Sequence, residues 1–151
     1  MHKPRSWTAS LIALIWLATV AGVASAGPQK SLYERLGGYD AVAAVVDDFL
    51  GRMIADKQLG RFFAGLGDDR KHRARQVTVD FVCEATGGPC YYTGRDMKTT
   101  HKGMGITAAD WNLAVGHLKA TLAKFKVPAQ EQKEVLDLIG GLRDQVVDQA
   151  P

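Results

Sequence analysis

Apolar residues recur at steps of three and four along most of this chain, and pairs of glycine interrupt the pattern. Residues three and four apart lie on one face of an α-helix, so each stretch predicts a helix with one buried side. No run alternates between apolar and polar residues over the length of a strand. The chain is therefore predicted to be all-α, with four substantial helices and one or two short ones.

Two capping boxes mark predicted helix starts. Ser31-x-x-Glu34 predicts a short first helix that stops at the glycine pair beginning at Gly37. Thr107-x-x-Asp110 predicts the start of a long helix near the middle of the chain. These short signals set boundaries that the apolar spacing alone leaves open.

The four longer helices are predicted from their apolar faces. Asp68 and Asp69 are expected to cap the second of them, and Pro128 to lie in the first turn of the last. The predicted faces are Val42, Val45, Val46, Phe49 and Met53 in the first; Ala74, Val77, Thr78, Phe81, Val82 and Ala85 in the second; Trp111, Val115, Leu118, Leu122 and Phe125 in the third; and Val135, Leu138, Ile139, Leu142 and Val146 in the last.

The first 26 residues have the layout of a secretory signal. Lys3 and Arg5 precede an apolar stretch over residues 11–23, and small residues follow at 24–26. Cleavage after Ala26 predicts a mature domain of residues 27–151 that is periplasmic or secreted and has no stable membrane association. An uncleaved anchor is the alternative, but the apolar run is short for a membrane span of roughly 20 residues.

The charge balance argues against a nucleic-acid partner. Removing residues 1–26 removes two of the 19 basic residues and none of the 16 acidic ones, so the net charge falls from +3 to about +1. No basic run of the kind that neutralises phosphates remains. The mature length suits one domain with a single core.

Cys83 and Cys90 both lie in the mature chain. An exported protein can oxidise them, and the Gly87-Gly88-Pro89 turn between them can bring them together. The alternative is that Cys83 is a small buried apolar residue and Cys90 a loop thiol. The sequence leaves both interpretations open.

Among the histidines, His101 is the candidate ligand. Met97 and Met104 lie at helical spacing on either side of it, whereas His72 is predicted opposite Phe81 and His117 at the edge of the core. A buried structural histidine fits the same pattern. The sequence offers no second ligand set, so a metal at His101 has to arrive already chelated.

Several motifs together resemble the truncated (2/2) haemoglobins and are most similar to their first group. The resemblance covers nearly all of residues 31–147, in order and at compatible spacing. The motifs are LYERLGG at 32–38, VVDDF at 45–49, the stretch 59–63 ending in Phe62-Phe63, Gly87-Gly88-Pro89, Tyr92-Thr93-Gly94, Met97 and His101.

This resemblance implies a two-over-two helical sandwich around haem b, with His101 as the proximal iron ligand. The haem is expected to be non-covalent, because no Cys-x-x-Cys-His motif is present. Lys98 is the expected partner of a haem carboxylate, with Arg95 and Lys102 as alternatives. The residues expected to line the haem are Phe63, Val77, Thr78, Phe81, Tyr92, Met97, Lys98, Ile106, Trp111 and Val115.

The expected distal pocket departs from the family pattern. In place of the usual tyrosine after Phe49 the chain has Leu50, which has no donor. The two positions where the family often carries glutamine fall on Ala74 and Thr78. Only the Thr78 hydroxyl can donate there, and the alternative is that it bonds its own helix.

Two classes of function remain after this reading. The first is reversible binding of O2, NO or CO, for transport or sensing; the second is catalysis, as an NO dioxygenase or weak peroxidase. The apolar distal set favours binding. Turnover in an exported protein would need a partner reductase, which the sequence does not identify. A haem-free helical bundle is a third interpretation.

Overall fold

The structure, a computed structural model, describes residues 29–148, and the predicted signal peptide lies outside them. Every regular element in the described part is helical, which confirms the all-α prediction. The elements are α1 Leu32–Leu36, α2 Gly38–Ala55, a 3-10 helix Leu59–Phe63, α3 Asp68–Ala85, α4 Met97–His101, α5 Ala108–Lys124, α6 Ala129–Gly140 and α7 Arg143–Val146.

The four long helices form two layers. Helix α2 packs against α3 in one layer and α5 against α6 in the other, and α2 and α5 make the main contact between layers. The short α1 bridges α2 and α6, while α4 packs against α7. This is the two-over-two arrangement that the sequence predicted.

Each layer has an apolar cluster of its own. Val42, Val46 and Val79 form the cluster between α2 and α3. Leu118, Leu122 and Val135 form the cluster between α5 and α6, with Phe49 of α2 packed against it. Burying a side chain of this size contributes roughly 1.5–3 kcal/mol each, so these residues supply most of the helix association.

Polar contacts of a half-buried carboxylate help to join the two layers. The Asp48 carboxylate on α2 accepts hydrogen bonds from Arg52 Nε (2.6 Å), from the fully buried Thr121 hydroxyl of α5 (2.8 Å) and from the Lys124 ammonium. Hydrogen bonds from Arg52, Lys124 and Thr121 hold the pKa of Asp48 well below its usual range. The carboxylate therefore stays charged and links α2 to α5.

Both predicted capping boxes form. Ser31 and Thr107 each accept from the backbone N–H three residues on, and the acidic side chain at that position bonds back. Gly37 is at once the last cap of α1 and the first cap of α2, at a φ of +102°. Residues with a Cβ rarely adopt that conformation, so the glycine sets the sharp turn between the helices.

Two predicted helix starts are wrong by one residue. Gly67 rather than Asp68 caps α3, and the carboxylates of Asp68 and Asp69 lie in the first turn, where they face the positive end of the helix dipole. Pro128 caps α6 from an extended conformation (ψ 154°) instead of lying inside its first turn.

The final helix is not continuous. It ends at Gly140, and α7 begins only at Arg143, because two successive glycines are poor helix formers and bring no side chain to pack. The interruption changes which side chain faces inward, so Val147 is buried and the predicted Val146 is half-buried. In the described part of the chain, no helix combines the length and apolar character needed to cross a membrane.

Candidate functional site

Helix α3 has two apolar faces with different surroundings. Val79 and Cys83 are fully buried, and Val79 packs against α2. The predicted core face, with Ala74, Val77 and Phe81, is only half-buried. The apolar stripe of α3 is therefore only partly covered by the rest of the protein, and we refer to the open apolar surface beside it as the cleft.

Most of the predicted haem-lining residues are likewise half-buried. Ile106 is buried and Lys98 is exposed, whereas the remaining apolar members keep part of their surface open. Helix α4 packs against α7 and makes no extensive contact with α3 or α5. The half-buried members are Phe63, Val77, Thr78, Phe81, Tyr92, Met97, Trp111 and Val115.

The loop between α3 and α4 begins with a disulfide between Cys83 and Cys90. Cys83 is therefore both buried, as one interpretation held, and bonded, as the other held. The Gly88 N–H donates to the Cys83 carbonyl at 2.7 Å. A Cβ at Gly88 would lie 2.6 Å from Cys83 Sγ and 2.6 Å from a Tyr33 ring carbon, so only glycine fits this turn.

Tyr92 carries the loop back onto α3. Its ring meets the Phe81 ring edge-on, with centroids 5.3 Å apart, and its backbone N–H donates to the Glu84 carboxylate. Its hydroxyl donates to the Arg95 carbonyl at 2.6 Å. Burial, followed by the negative charge of Asp96, raises the pKa of Tyr92, so the hydroxyl keeps its proton and its role as donor.

Helix α4 is a single short turn whose start and last residue are both fixed. The Asp96 side chain caps it, accepting from the Thr99 N–H at 2.8 Å. At its end, His101 Nδ1 lies 2.8 Å from the Met97 carbonyl oxygen. A carbonyl can only accept, so Nδ1 carries the proton and Nε2 keeps an available lone pair.

The segment after His101 does not continue the helix. The predicted placement of Met104 on the same helical face is wrong, because α4 ends at His101 and Gly103 has a φ of +76°. Met104 is 38% exposed. The chain then meets Asp148, whose carboxylate accepts from the Gly105 N–H at 2.5 Å and whose N–H donates to the Ile106 carbonyl at 2.9 Å.

The distal residues offer no donor to the cleft. The Thr78 hydroxyl donates to the Ala74 carbonyl at 2.8 Å, which is the alternative that the sequence raised. Leu50 packs beside the Val42–Val79 cluster. With the Thr78 proton engaged in its own helix, these three side chains present only apolar groups and one acceptor.

An apolar cavity of about 180 Å³ lies between the two helical layers. Phe49 and Thr78, two of the predicted distal residues, are in its wall. Most of the rest of its lining comes from the inner faces of α2, α3, α5 and α6 and includes Val46, Leu118 and Val135. The cavity thus extends from the distal residues into the core.

The buried carboxylate of Asp110 positions the 3-10 helix through contacts that the sequence did not reveal. Asp110 is 1% exposed and accepts from Gln58 Nε2 (2.6 Å), from Arg61 (2.8 Å) and from both the N–H and hydroxyl of Thr107. Burial favours the neutral acid, but the bonds from Gln58 and Thr107 and the charge of Arg61 lower the pKa of Asp110 to about 2. The capping box revealed its bond to Thr107 but not its partners 49 and 52 residues away.

Neither of the other histidines in the described part lies in a ligand arrangement. His72 is exposed on α3. His117 is half-buried and lies with Nε2 2.9 Å from an Asp56 carboxylate oxygen. No group of three or more histidine, cysteine or acidic side chains among residues 29–148 is arranged to hold a metal ion.

Comparison with known proteins gives the family. A family model described as bacterial-like globin matches residues 31–148. The group 1 truncated haemoglobin GlbN of Mycolicibacterium paratuberculosis is 39% identical over 116 residues, which are 77% of this chain and 83% of that protein. The chain belongs to the group 1 truncated haemoglobins. A second member, from Tetrahymena pyriformis, is 35% identical over 65% of this chain and 78% of its own length.

Solved truncated haemoglobins share the fold. The Tetrahymena pyriformis protein in its Fe(III) form superposes with a TM-score of 0.72 at 29% identity, covering 80% of this chain and 100% of its own. The 2/2 haemoglobin of Synechococcus sp. PCC 7002, solved in the cyanomet state with covalently attached haem, gives 0.72 at 30% identity over the same shares. The resemblance read from the motifs is confirmed.

The cleft of this truncated haemoglobin fits the cofactor of its family. Truncated haemoglobins bind haem, and a haem needs apolar walls for its ring and one accessible nitrogen for its iron. The half-buried faces of α3 and α5 supply apolar surface, and His101 supplies an oriented nitrogen. Within residues 29–148, no cluster of three or more histidine, cysteine or acidic side chains forms an alternative metal site.

Proposed function

We propose that this truncated haemoglobin holds haem b non-covalently, with His101 Nε2 as the proximal ligand, and binds O2, NO or CO reversibly. The observation that carries the proposal is the 2.8 Å contact between His101 Nδ1 and the Met97 carbonyl. That hydrogen bond fixes the tautomer and the ring orientation, and so makes Nε2 the ligating atom.

The surrounding residues have distinct tasks in this proposal. When bound, haem would supply an iron able to bind a diatomic gas, and His101 would hold that iron. Phe63, Phe81 and Trp111 supply flat apolar surface that excludes water from the ring. Lys98 is exposed and has no carboxylate partner among residues 29–148, so it is available to a haem carboxylate.

The distal side supports binding over catalysis. A polar distal cage would stabilise charge that develops during turnover, but Leu50 is apolar and the Thr78 proton is already donated to Ala74. The apolar cavity beside Phe49 suits small uncharged gases better than charged substrates. The alternative activity, as an NO dioxygenase or weak peroxidase, additionally needs an electron donor, which would be a separate reductase.

The decisive experiment is a set of ferric, ferrous and CO-bound spectra of the mature protein and its His101→Gly variant. The wild type is expected to show a Soret band and to form a CO complex. The variant is expected to lose haem, and added imidazole to restore the spectrum by replacing the missing side chain. His72→Gly is the matched control, because His72 is exposed on α3. Unchanged spectra in His101→Gly would exclude this histidine as ligand.

We also propose that the protein is exported, with residues 1–26 removed. The Cys83–Cys90 disulfide supports this, because disulfides persist in oxidising compartments and are rare in the bacterial cytosol. The mass of the protein recovered from a periplasmic or culture fraction tests it. A chain that begins at Gly27 is expected, and an intact residue 1–26 segment would contradict cleavage.

A further inference from the structure

We infer that the Cys83–Cys90 disulfide positions the proximal histidine and thereby makes haem retention depend on oxidation. The inference rests on the haem binding proposed above. The disulfide lies at the start of the α3–α4 loop, and an unbroken series of contacts leads from it to His101. Haem is then held firmly when the two cysteines are oxidised and released more readily when they are reduced.

The first contacts fasten the loop to α3. The disulfide joins the fully buried Cys83 to Cys90, seven residues later, and the Gly88 N–H bonds the Cys83 carbonyl at 2.7 Å. Two residues beyond Cys90, the Tyr92 N–H donates to the Glu84 carboxylate and its ring packs against Phe81. Without the covalent bond, a short glycine-containing loop would depend on these weaker contacts for its position.

The next contacts connect the loop to α4, the helix that carries His101. The Tyr92 hydroxyl and the Thr100 hydroxyl both donate to the Arg95 carbonyl, at 2.6 and 3.2 Å. Asp96 caps α4, and the Met97 carbonyl orients His101. A helix of five residues is not stable by itself, so its position is set by the loop before it and by α7.

Reduction is chemically accessible at one of the two sulfur atoms. Cys83 is fully buried and Cys90 is half-buried, so the thiolate of a dithiol reductant attacks Cys90 Sγ. The sulfur–sulfur bond breaks, Cys83 leaves as a thiolate that takes up a proton, and a mixed disulfide forms on Cys90. The second thiol of the reductant then displaces Cys90, which leaves two cysteine thiols and an oxidised reductant.

The experiment measures haem transfer from the ferric holoprotein to excess apomyoglobin. The wild type is compared with the Cys83→Ala/Cys90→Ser variant, each with and without a phosphine reductant. Haem loss from the variant, and from the reduced wild type, is expected to be about tenfold faster or more. A disulfide that closes a loop of this length changes the unfolding equilibrium constant by roughly 50-fold. Only part of that stabilisation is expected to affect haem retention.

Two controls and one further measurement separate this inference from simpler explanations. The reductant should not change haem loss from the double variant, which has no disulfide to break. Arg35→Ala removes the contacts of α1 with Glu131 and Glu134 of α6, and is expected to lower stability without changing the iron–histidine stretching frequency. Reduction of the wild type should shift that frequency and speed hydrogen exchange in residues 92–101.

The outcomes are distinguishable. Faster haem loss with a shifted iron–histidine frequency supports the inference. Equal haem loss and equal frequency in oxidised and reduced wild type overturn it, while the proposed function stands. A protein that never takes up haem in either state overturns both.

Discussion

A single hydrogen bond decides which atoms are available in each of two predicted site residues. His101 donates from Nδ1 to the Met97 carbonyl, which leaves Nε2 available as a ligand. Thr78 donates to the Ala74 carbonyl, which removes the one hydroxyl among the distal residues from the pocket. Both acceptors are backbone carbonyls four residues earlier. The same local geometry therefore leaves a nitrogen of His101 available for binding and engages the hydroxyl proton of Thr78.

The distal residues predict weak retention of oxygen. In Leu50→Tyr, a hydroxyl is placed where the family often has tyrosine, and oxygen dissociation is expected to slow roughly 10- to 100-fold. The reason is that a hydrogen bond to a partly charged ligand contributes about 1.5–3 kcal/mol. Stopped-flow measurement of oxygen dissociation tests this. Leu50→Phe has the added ring without the hydroxyl and should not slow release; equal rates in Leu50→Tyr and wild type would refute the prediction.

Polar contacts help to position the short elements that carry predicted cofactor contacts. The 3-10 helix that carries Phe63 is joined to α5 through Asp110, which accepts from Gln58 and Arg61. Helix α4 depends on Tyr92 and Asp96 before it and on α7 after it. These elements carry residues that are predicted to contact the cofactor. A single polar substitution far from the cleft should therefore change the positions of those residues.

Asp110 is expected to make stability depend on pH in the acid range. Its folded pKa is about 2, below the ordinary value of 3.8, so its contribution is present above about pH 4 and is lost as the pH falls towards 2. In Asp110→Asn the free energy of unfolding at pH 7 should fall by roughly 2–3 kcal/mol, because a buried charged acceptor is lost. Urea unfolding at several pH values measures this.

The matched control is Asp144→Asn, since Asp144 is exposed and, within residues 29–148, forms an ion pair only with its neighbour Arg143. That variant should differ little from wild type at any pH. The difference between wild type and Asp110→Asn should shrink as the pH approaches 2. A difference that stays constant from pH 7 to pH 2 would show that the charge of Asp110 is not the cause.

At the scale of the whole molecule, the two helical layers surround an internal cavity in addition to the cleft. The cavity of about 180 Å³ lies where α2 and α3 face α5 and α6. Its walls are almost entirely apolar, and such cavities stay dry and accept apolar gases. Because Phe49 and Thr78 border both the cavity and the predicted distal side, the cavity is a place where gas can remain close to its binding site.

Filling this space is expected to change gas kinetics without changing the iron ligand. Val135→Phe places a ring into the cavity from α6, so xenon uptake should fall and rebinding of photodissociated CO from within the protein should decrease severalfold. Xenon NMR and flash photolysis measure the two effects. Leu136→Phe, which adds a ring at the next position but outside the cavity lining, is the control. Equal CO rebinding in both variants would contradict a storage role.

Local chemistry explains which features the sequence alone determined. The helical periods, the two capping boxes and the glycine turn at Gly37 depend on neighbours within a few residues, and they predicted the all-α architecture. The motifs from Leu32 to His101 identified the family for the same reason, since their order and spacing are properties of the chain.

Only the tertiary structure decided what depends on distant neighbours. It made α3 present a half-buried apolar face to a cleft, although its spacing predicted a core face, because α2 packs against Val79 instead. It brought Gln58 and Arg61 to Asp110, and it ended α4 at His101, so that Met104 left the histidine's face. Spacing shows which residues share a side of a helix. What lies against that side is set by where the other helices pack.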